Sequence, residues 1–271
     1  MNSRWGMGRA LGLGVALVIT AGLAKPALAD PNIVIPALDQ AAAVYKLKAA
    51  ADIDSTVAGV QQLVTALQNK DVAAARQAWI NARVGWERSE IFTATLFRDL
   101  DAEIDSWPDA KSGFHAIEVK LFRGDGDVPP EEAQYLLDKV TTFQHLFNDQ
   151  PFSGHEVMVG LASLAYEIGD SKAQGGESAA SGTSLQDMQH NIEGLQLAWD
   201  TVFRAYLKDK PARGSGEIPG QIDALRKLVS VASLDQIDPA ELSRQAEDLA
   251  ASLADIAVDI GWHRPDYTDA D

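Results

Sequence analysis

The stretch that decides the fold is DVAAARQAWINARVGWERSEIFTATLF, residues 71–97. Its apolar residues recur every three or four positions, which predicts one amphipathic helix whose apolar stripe faces a core. Asp71 is placed to cap this helix. Arg83 and Glu90 continue the stripe, so charged side chains are expected inside the fold, where they need partners. The apolar members of the stripe are Val72, Ala75, Trp79, Trp86 and Phe97.

Helical periodicity covers most of the remaining chain, and strand signals are nearly absent, because the short apolar alternation at 33–35 stops at Pro36. Ser184 and Asp187 resemble a capping box at the start of one of these helices. The first two predicted helices are also compatible with one long helix. The predicted helices, with ends accurate to about 2–4 residues, are 37–51, 54–68, 71–97, 113–122, 130–147, 153–169, 185–208, 219–232 and 239–261.

A segment rich in Gly, Ser and Ala, residues 170–183, predicts a linker between two halves of the chain. Each half has about four helices. The predicted fold is therefore all-α, with two antiparallel four-helix bundles packed in one elongated domain at 30–271. We place bundle one at about 30–169 and bundle two at about 184–271.

The N-terminal residues 1–29 read as a cleavable signal peptide. Arg4 and Arg9 precede an apolar run from Leu11 to Ala24, and Ala27-Leu28-Ala29 forms a small-residue cleavage site. The run is short for a membrane span, and no later stretch approaches the roughly 20 apolar residues that a spanning helix needs. We therefore expect export to the periplasm and no membrane insertion. With no cysteine in the chain, disulfides, thiolate metal sites and thiol-linked lipid anchors are excluded.

The predicted mature chain is strongly acidic. Without the three basic residues of the signal peptide, 20 basic and 39 acidic residues remain, a net charge of −19. Such a surface repels phosphate backbones and anionic lipids, which argues against nucleic-acid and membrane partners. It attracts cations, although acidity also simply keeps an exported protein soluble.

Two acidic groups follow from spacing in and after the helix at 71–97. Glu87 and Glu90 are three residues apart, so their carboxylates share one helix face and suit a metal ion. The alternative is an ion pair of Arg83 with Glu87 or Glu90. The acidic segment 99–105, DLDAEID, is not a calcium loop, because Ile104 occupies the sixth position, where an EF-hand needs glycine. Its acids either remain solvated or turn inward as oxygen ligands.

The sequence Gly113-Phe114-His115-Ala116-Ile117-Glu118 places His115 and Glu118 on one helix face beside apolar residues. An imidazole and a carboxylate together suit iron, zinc or manganese. The spacing differs from that of zinc proteases, and no nucleophile elbow is found, so no enzymatic activity is predicted.

Four segments resemble, in order, the signatures of the imelysin-like, or M75, family, which includes EfeO-type periplasmic iron-import components. They are Trp86–Ile91 (WERSEI), Asp99–Asp105 (DLDAEID), Gly113–Glu118 (GFHAIE), and Gly176-Glu177 followed by Leu185–Gly194 (LQDMQHNIEG).

The resemblance implies a pair of four-helix bundles that captures an iron ion in the periplasm, with zinc or copper as alternative metals. It implies a membrane iron permease and an accessory periplasmic peroxidase-like component as partners. Carried over to this chain, the implied metal ligands are His115, Glu118, Glu87, Glu90, Asp101 or Asp105, and Glu177.

Two other functions remain open within this family. An anionic polysaccharide such as alginate would need bridging cations or a basic patch from Lys111, Lys120 and Arg123 to overcome the negative charge. An M75 metallopeptidase would need a base positioned on a metal-bound water. The sequence identifies no such base, so hydrolysis is the least favoured of the three functions.

Overall fold

The computed structural model describes residues 33–107 and 110–268, and the predicted signal peptide lies outside them. The described chain contains helices and turns and no strand, which confirms the all-α prediction. Its α-helices, in chain order, are α1 (Pro36–Gln68), α2 (Val72–Leu96), α3 (Arg98–Ile104), α4 (Gly113–Glu118), α5 (Pro130–Asp149), α6 (Gly154–Asp170), α7 (Ser184–Ala198), α8 (Arg204–Asp209), α9 (Ile218–Leu228) and α10 (Pro239–Asp259).

Shorter helical turns connect several of these helices. A π-helical turn, Val119–Arg123, continues α4, and another, Trp199–Phe203, joins α7 to α8. The first two predicted helices are one helix, α1, and the short helix α3 is additional to the predicted set. No helix in residues 33–107 and 110–268 combines the length and the apolar character that crossing a membrane requires.

The start of α2 follows the prediction, whereas the start of α7 does not. Asp71 Oδ1 accepts a hydrogen bond from the Ala74 N–H at 3.0 Å, as expected of an N-cap. The predicted capping box of α7 is wrong, because the N-cap residue is Thr183, whose side chain makes no capping bond. The Ser184 hydroxyl instead donates to the Glu177 carbonyl, and Asp187 turns inward.

Helix α2 is the central helix of the described fold, since α1, α6 and α7 all pack against it. Glycines permit these close approaches, and an added Cβ would lie within 3 Å of a backbone oxygen across each interface. The pairs are Gly85 of α2 with Asp52 of α1, Gly160 of α6 with Ile91 of α2, and Gly194 of α7 with Arg88 of α2. The segment 85–91 of α2 is therefore enclosed by helices on several sides.

The remaining helices extend this arrangement. Helix α5 packs on α1, α6 lies along α10, and α9 contacts both α7 and α10. Aromatic side chains fill the interior around α2, with the ring centroids of Trp86 and Phe143 separated by 5.5 Å and those of Phe92 and Phe147 by 4.9 Å. Since α6 contacts both α2 and α10, the boundary between two bundles stays a prediction.

The close helix contact at Gly160 leads to a stability prediction. A Cβ at this position would lie 2.0 Å from the Ile91 carbonyl oxygen. We expect Gly160→Ala to lower the free energy of unfolding by about 1–3 kcal/mol or more, because α6 must move away from α2. Gly220→Ala in α9 is the control, since nothing lies within 4 Å of its added Cβ. It should stabilise the protein by about 0.4–1 kcal/mol. Equal urea midpoints for the two variants would contradict the prediction.

Candidate metal site

Arg83 and Glu90, which their spacing places on the apolar stripe of α2, are buried, and so is Glu87. Arg83 is 1% exposed, Glu87 is 0% exposed and Glu90 is 6% exposed. They face α7 and the turn segment 171–183, which connects α6 to α7. A buried charge is costly unless it is paired and hydrogen-bonded. Each of these three buried side chains therefore needs partners of opposite charge or hydrogen-bonding groups nearby.

Arg83 is surrounded by carboxylates. It forms ion pairs with Glu87 and Asp105, and its Nη2 lies 3.1 Å from Glu177 Oε1 and 3.3 Å from Asp187 Oδ2. Burial alone would lower the pKa of Arg83, but these four carboxylates raise it well above its usual value. The ion pair considered for Arg83 and Glu87 is thus present, within a larger cluster.

A second buried cation, Lys172, lies on the other side of Glu87. Its Nζ is 3.1 Å from Glu87 Oε2, 3.0 Å from Glu90 Oε2 and 3.2 Å from Glu177 Oε2. Asn191 of α7 donates to Glu87 Oε2 at 2.8 Å and to Glu90 Oε2 at 2.6 Å. The two glutamates predicted from α2 therefore converge on one point, together with a glutamate from the turn segment.

Gly113 explains how α4 brings its histidine to this cluster. Its φ is +79°, a left-handed conformation that favours glycine, and an added Cβ would lie 2.1 Å from the Ile104 carbonyl oxygen. The start of α4 can therefore pack directly on the end of α3. Two residues later in α4, His115 meets Asp105, which follows α3.

His115 contacts three of the predicted ligand carboxylates. Its Nδ1 lies 2.9 Å from Glu118 Oε2, and its Nε2 lies 3.2 Å from Asp105 Oδ1 and 3.5 Å from Glu177 Oε1. Burial alone would lower the pKa of His115, but Asp105, Glu118 and Glu177 raise it well above its usual value. The Ser181 N–H and hydroxyl donate to Glu118 Oε1 at 2.7 and 2.8 Å. Glu118 is thereby fixed where it orients the imidazole.

Five of the seven predicted ligands supply atoms to two groups in which the potential ligand atoms lie within 4.8 Å of one another. One group is Asp105, His115 and Glu177, and the other is Glu87, Glu90 and Asp105. Asp105 belongs to both. Carboxylate oxygens with one imidazole nitrogen form a donor set suited to iron, manganese or zinc.

The other two predicted ligands lie outside these groups. Glu118 contacts the Nδ1 side of His115, whereas the Nε2 side faces Asp105 and Glu177. Asp101 is half-buried and lines a cavity beside the cluster. The sequence left Asp101 and Asp105 as alternatives, and the structure brings Asp105 into the cluster.

Three further residues take part that the sequence did not indicate as site residues: Lys172, Asp187 and Asn191. Asp187 and Asn191 are four apart in α7, a spacing that puts both on one helix face and could have signalled a polar buried surface. Lys172 lies in a segment whose composition predicts a solvated linker, so no sequence signal indicated its burial. The segment is folded instead, with Lys172 2% exposed and Glu177 9% exposed.

Two cavities reach the cluster from different sides. One, of about 380 Å³, is lined by acidic residues that include Glu90, Asp105, Glu167 and Glu177. The other, of about 340 Å³, is lined by His115 and Glu118 and by the three basic residues Lys111, Lys120 and Arg123. Trp107 lines both cavities. A small cation thus has an acidic approach to the ligand atoms.

The cluster contains more carboxylates than cations. The pKa values of some of these carboxylates are raised, and those of others are lowered. Burial raises the pKa of Asp187 to about 7 and that of Glu167 to about 8. Burial also opposes ionisation of Asp105 and Glu177, but the neighbouring Arg83 and His115 lower the pKa of Asp105, and Lys172 and His115 lower that of Glu177. The carboxylates next to His115 are therefore ionised at neutral pH.

The raised pKa of Asp187 predicts a pH-dependent stability. In the unfolded chain this carboxyl ionises near pH 3.8, whereas in the folded chain its pKa is about 7. Between these values the unfolded state loses its proton first, so stability falls as pH rises from about 4 to 7. Asp187→Asn removes this loss, so the variant should gain stability relative to the wild type between pH 4.5 and pH 8 in urea unfolding. Asp235→Asn, at an exposed position, is the control, and a pH-independent difference for Asp187→Asn would contradict the prediction.

Comparison with known proteins agrees with the resemblance. The family model Imelysin (Peptidase_M75) matches residues 41–113 and 109–260. The iron uptake system component EfeM of Pseudomonas syringae pv. syringae (strain B728a) is 30% identical over 232 residues, 80% of this chain and 79% of that protein. An Efem/EfeO family lipoprotein of Staphylococcus aureus (strain MRSA252) is 30% identical over 203 residues, 71% of each chain.

The fold itself has a counterpart among solved structures. A crystal structure of a protein described as an iron-regulated protein A precursor, from Parabacteroides distasonis, aligns with a TM-score of 0.66. The alignment covers 86% of this chain and 98% of that one, and at 16% identity it supports the fold alone. The match to the family model over most of the chain, together with relatives at 30% identity, shows that this chain belongs to the Imelysin (Peptidase_M75) family.

Proposed function

We propose that this protein captures iron outside the cytoplasm as a binding component of an iron-uptake system. The observation that carries the proposal is the convergence of Asp105, His115 and Glu177, whose ligand atoms lie within 4.8 Å of one another in a buried cluster. A site rich in carboxylates with one imidazole favours a hard transition-metal ion, Fe(II) or Fe(III), over a soft one. The names of the relatives, an iron uptake component and a lipoprotein, support both the cargo and the extracytoplasmic location.

The proposal treats the protein as a carrier and not as a hydrolase. Glu118, the carboxylate nearest His115 Nδ1, accepts hydrogen bonds from Ser181 and contacts the imidazole. Glu87 and Glu90 are held by Lys172 and Asn191. A metallohydrolase needs a carboxylate base aimed at a metal-bound water, and these carboxylates are engaged with protein groups. We propose delivery of the ion to a membrane permease, with an accessory peroxidase-like component as a further partner.

The test is an anaerobic Fe²⁺ titration of the chain from residue 30, comparing wild type with a His115→Ala, Glu118→Ala double variant. The chain offers a matched control in α7, where His190 and Glu193 have the same spacing and a 3.0 Å contact between Nδ1 and Oε2 at the protein surface. We expect the first double variant to lose at least about 100-fold in affinity, about 2.7 kcal/mol. The His190→Ala, Glu193→Ala variant should bind as the wild type does. Equal affinities for all three proteins would refute the site.

A second candidate function is suggested by the cavity of about 340 Å³ beside His115 and Glu118. Lys111, Lys120 and Arg123, the patch expected for an anionic polysaccharide such as alginate, line one cavity. Lys120 is already paired with Glu132 at 2.6 Å, and the overall negative charge opposes a polyanion. Alginate binding measured with and without EDTA separates the two functions. Binding that survives EDTA and is lost in a Lys111→Ala, Arg123→Ala variant would favour the polysaccharide.

A further inference from the structure

Lys172 is an unusual component of the cluster. It begins a short 3₁₀ turn, Lys172–Gln174, directly after α6, and it is 2% exposed. Lysine is almost never this buried unless it is paired. Its Nζ lies between 3.0 and 3.2 Å from oxygens of Glu87, Glu90 and Glu177. Glu87 and Glu90 belong to one group of potential ligand atoms and Glu177 to the other, so the ammonium group contacts oxygens of both groups.

The two buried cations of the cluster differ in how firmly they are held. Arg83 comes from the middle of α2, its planar guanidinium reaches four carboxylates, and its centre lies 5.7 Å from the Trp79 ring and 5.3 Å from the Phe114 ring. Lys172 is a compact charge on a flexible four-carbon stem, and it starts from a turn and not from a helix. Of these two cations, Lys172 is therefore the less firmly held.

The ammonium group and a metal ion compete for the same oxygens. Iron binds carboxylate oxygens at roughly 2 Å, a distance similar to that of other first-row transition metals. An ion held by Glu87 and Glu90 in one ligand group, or by Glu177 in the other, would therefore lie beside oxygens that Lys172 contacts. A lysine ammonium 3.0–3.2 Å from those oxygens would then be in close contact with the ion. Two positive charges this close repel strongly where the effective dielectric constant is low.

The structure also provides a place for the displaced ammonium group. Glu167 Oε1 is 3.7 Å from Nζ, and the Glu167 side chain is 27% exposed. Asp170, which is exposed, lines the same acidic cavity of about 380 Å³. Movement of the Lys172 side chain toward Glu167 would therefore take its charge away from the three buried carboxylates and to the wall of this acidic cavity.

We propose that Lys172 is a tethered counter-ion that holds the ligand carboxylates together before metal binding and is displaced into the acidic cavity when the ion enters. The inference rests on the proposed iron-binding function and deepens it. It makes Lys172 a determinant of affinity, because part of the binding free energy of the ion is used to displace a cation that already neutralises the site.

The first test is an anaerobic Fe²⁺ titration of Lys172→Met. Removing the competing charge should lower the dissociation constant at least tenfold, whereas Lys172→Arg, which keeps the charge, should not tighten binding. Lys139→Met is the matched control, since this partly exposed lysine of α5 pairs with Glu103 and lines neither cavity, and its affinity should equal that of the wild type. Unchanged or weaker binding by a Lys172→Met protein with native circular dichroism would overturn the inference.

The second test uses the wild-type protein and so does not depend on the stability of a variant. Lysines are acetylated with an N-hydroxysuccinimide ester in the presence and absence of saturating Fe²⁺, and each site is quantified by mass spectrometry. Labelling of Lys172 should rise several-fold with iron, while that of the exposed Lys120 and the partly exposed Lys139 stays constant. A Lys172 that remains equally protected with iron bound would overturn the inference.

The two tests distinguish this inference from the proposed function. If wild-type protein binds iron and the His115→Ala, Glu118→Ala variant loses it, the proposed function stands. In that case, if Lys172→Met binds Fe²⁺ no more tightly than the wild type does, only the proposed displacement of Lys172 by the ion is refuted. If the wild-type chain binds no Fe²⁺, both proposals fail.

Discussion

We expect Asp105→Asn to lower the iron affinity by at least about 100-fold, equivalent to about 2.7 kcal/mol. Asp105 is the one residue common to both groups of potential ligand atoms, and His115 Nε2 lies 3.2 Å from its Oδ1. The change removes a charged oxygen from the site but keeps a side chain of similar shape, which can still accept the hydrogen bond that Trp86 Nε1 donates to Oδ2. The measurement is an anaerobic Fe²⁺ titration, with circular dichroism to confirm the fold.

Asp101→Asn is the matched control for this prediction. Asp101 comes from α3, just before Asp105, and it lines the acidic cavity without contributing to either ligand group. Its replacement should change the affinity by less than about threefold, because only a more distant charge is lost. If both asparagine variants lose affinity equally, the general negative potential of the cavity, and not coordination by Asp105, would account for binding.

The second large effect concerns stability. Arg83→Met should lower the free energy of unfolding by about 3–5 kcal/mol, because removing one partner of a buried ion cluster leaves the other charges uncompensated. Glu87, Asp105, Glu177 and Asp187 would then share fewer buried positive charges. Urea unfolding followed by circular dichroism measures the loss.

Arg88→Met, five residues further along α2, provides the control. Its side chain is 35% exposed and pairs with Glu193 Oε2 at 2.6 Å. Exposed ion pairs contribute about 0.2–1 kcal/mol, so this substitution should have a small effect. A loss for Arg83→Met no larger than that for Arg88→Met would mean that the buried cluster does not depend on the guanidinium.

Two chain segments contribute to the predicted metal site, and their sequence patterns differ in how well they predict which side chains are buried. In α2, the periodic stripe alone predicted that Arg83 and Glu90 face the interior, and both are buried. In the segment 99–105, alternating acids could not show which one turns inward. Asp105 does so because α3 ends at Ile104, and the following residue reaches Arg83 and His115 of other helices.

The sequence by itself determined the helical class of the protein, the N-cap at Asp71 and the burial of the charged stripe in α2. These features depend on residues close together in the chain, so periodicity and capping chemistry are sufficient. The tertiary structure alone decided that Lys172 and Asp187 join the cluster and that Glu177 is buried. Their partners Arg83 and Glu87 lie more than 80 residues away in the chain, and composition predicted a solvated linker where two of them lie. Burial of these charges is possible only because opposite charges from separate segments come together in the folded chain. A pattern within one segment does not show which distant segment will supply the opposite charge.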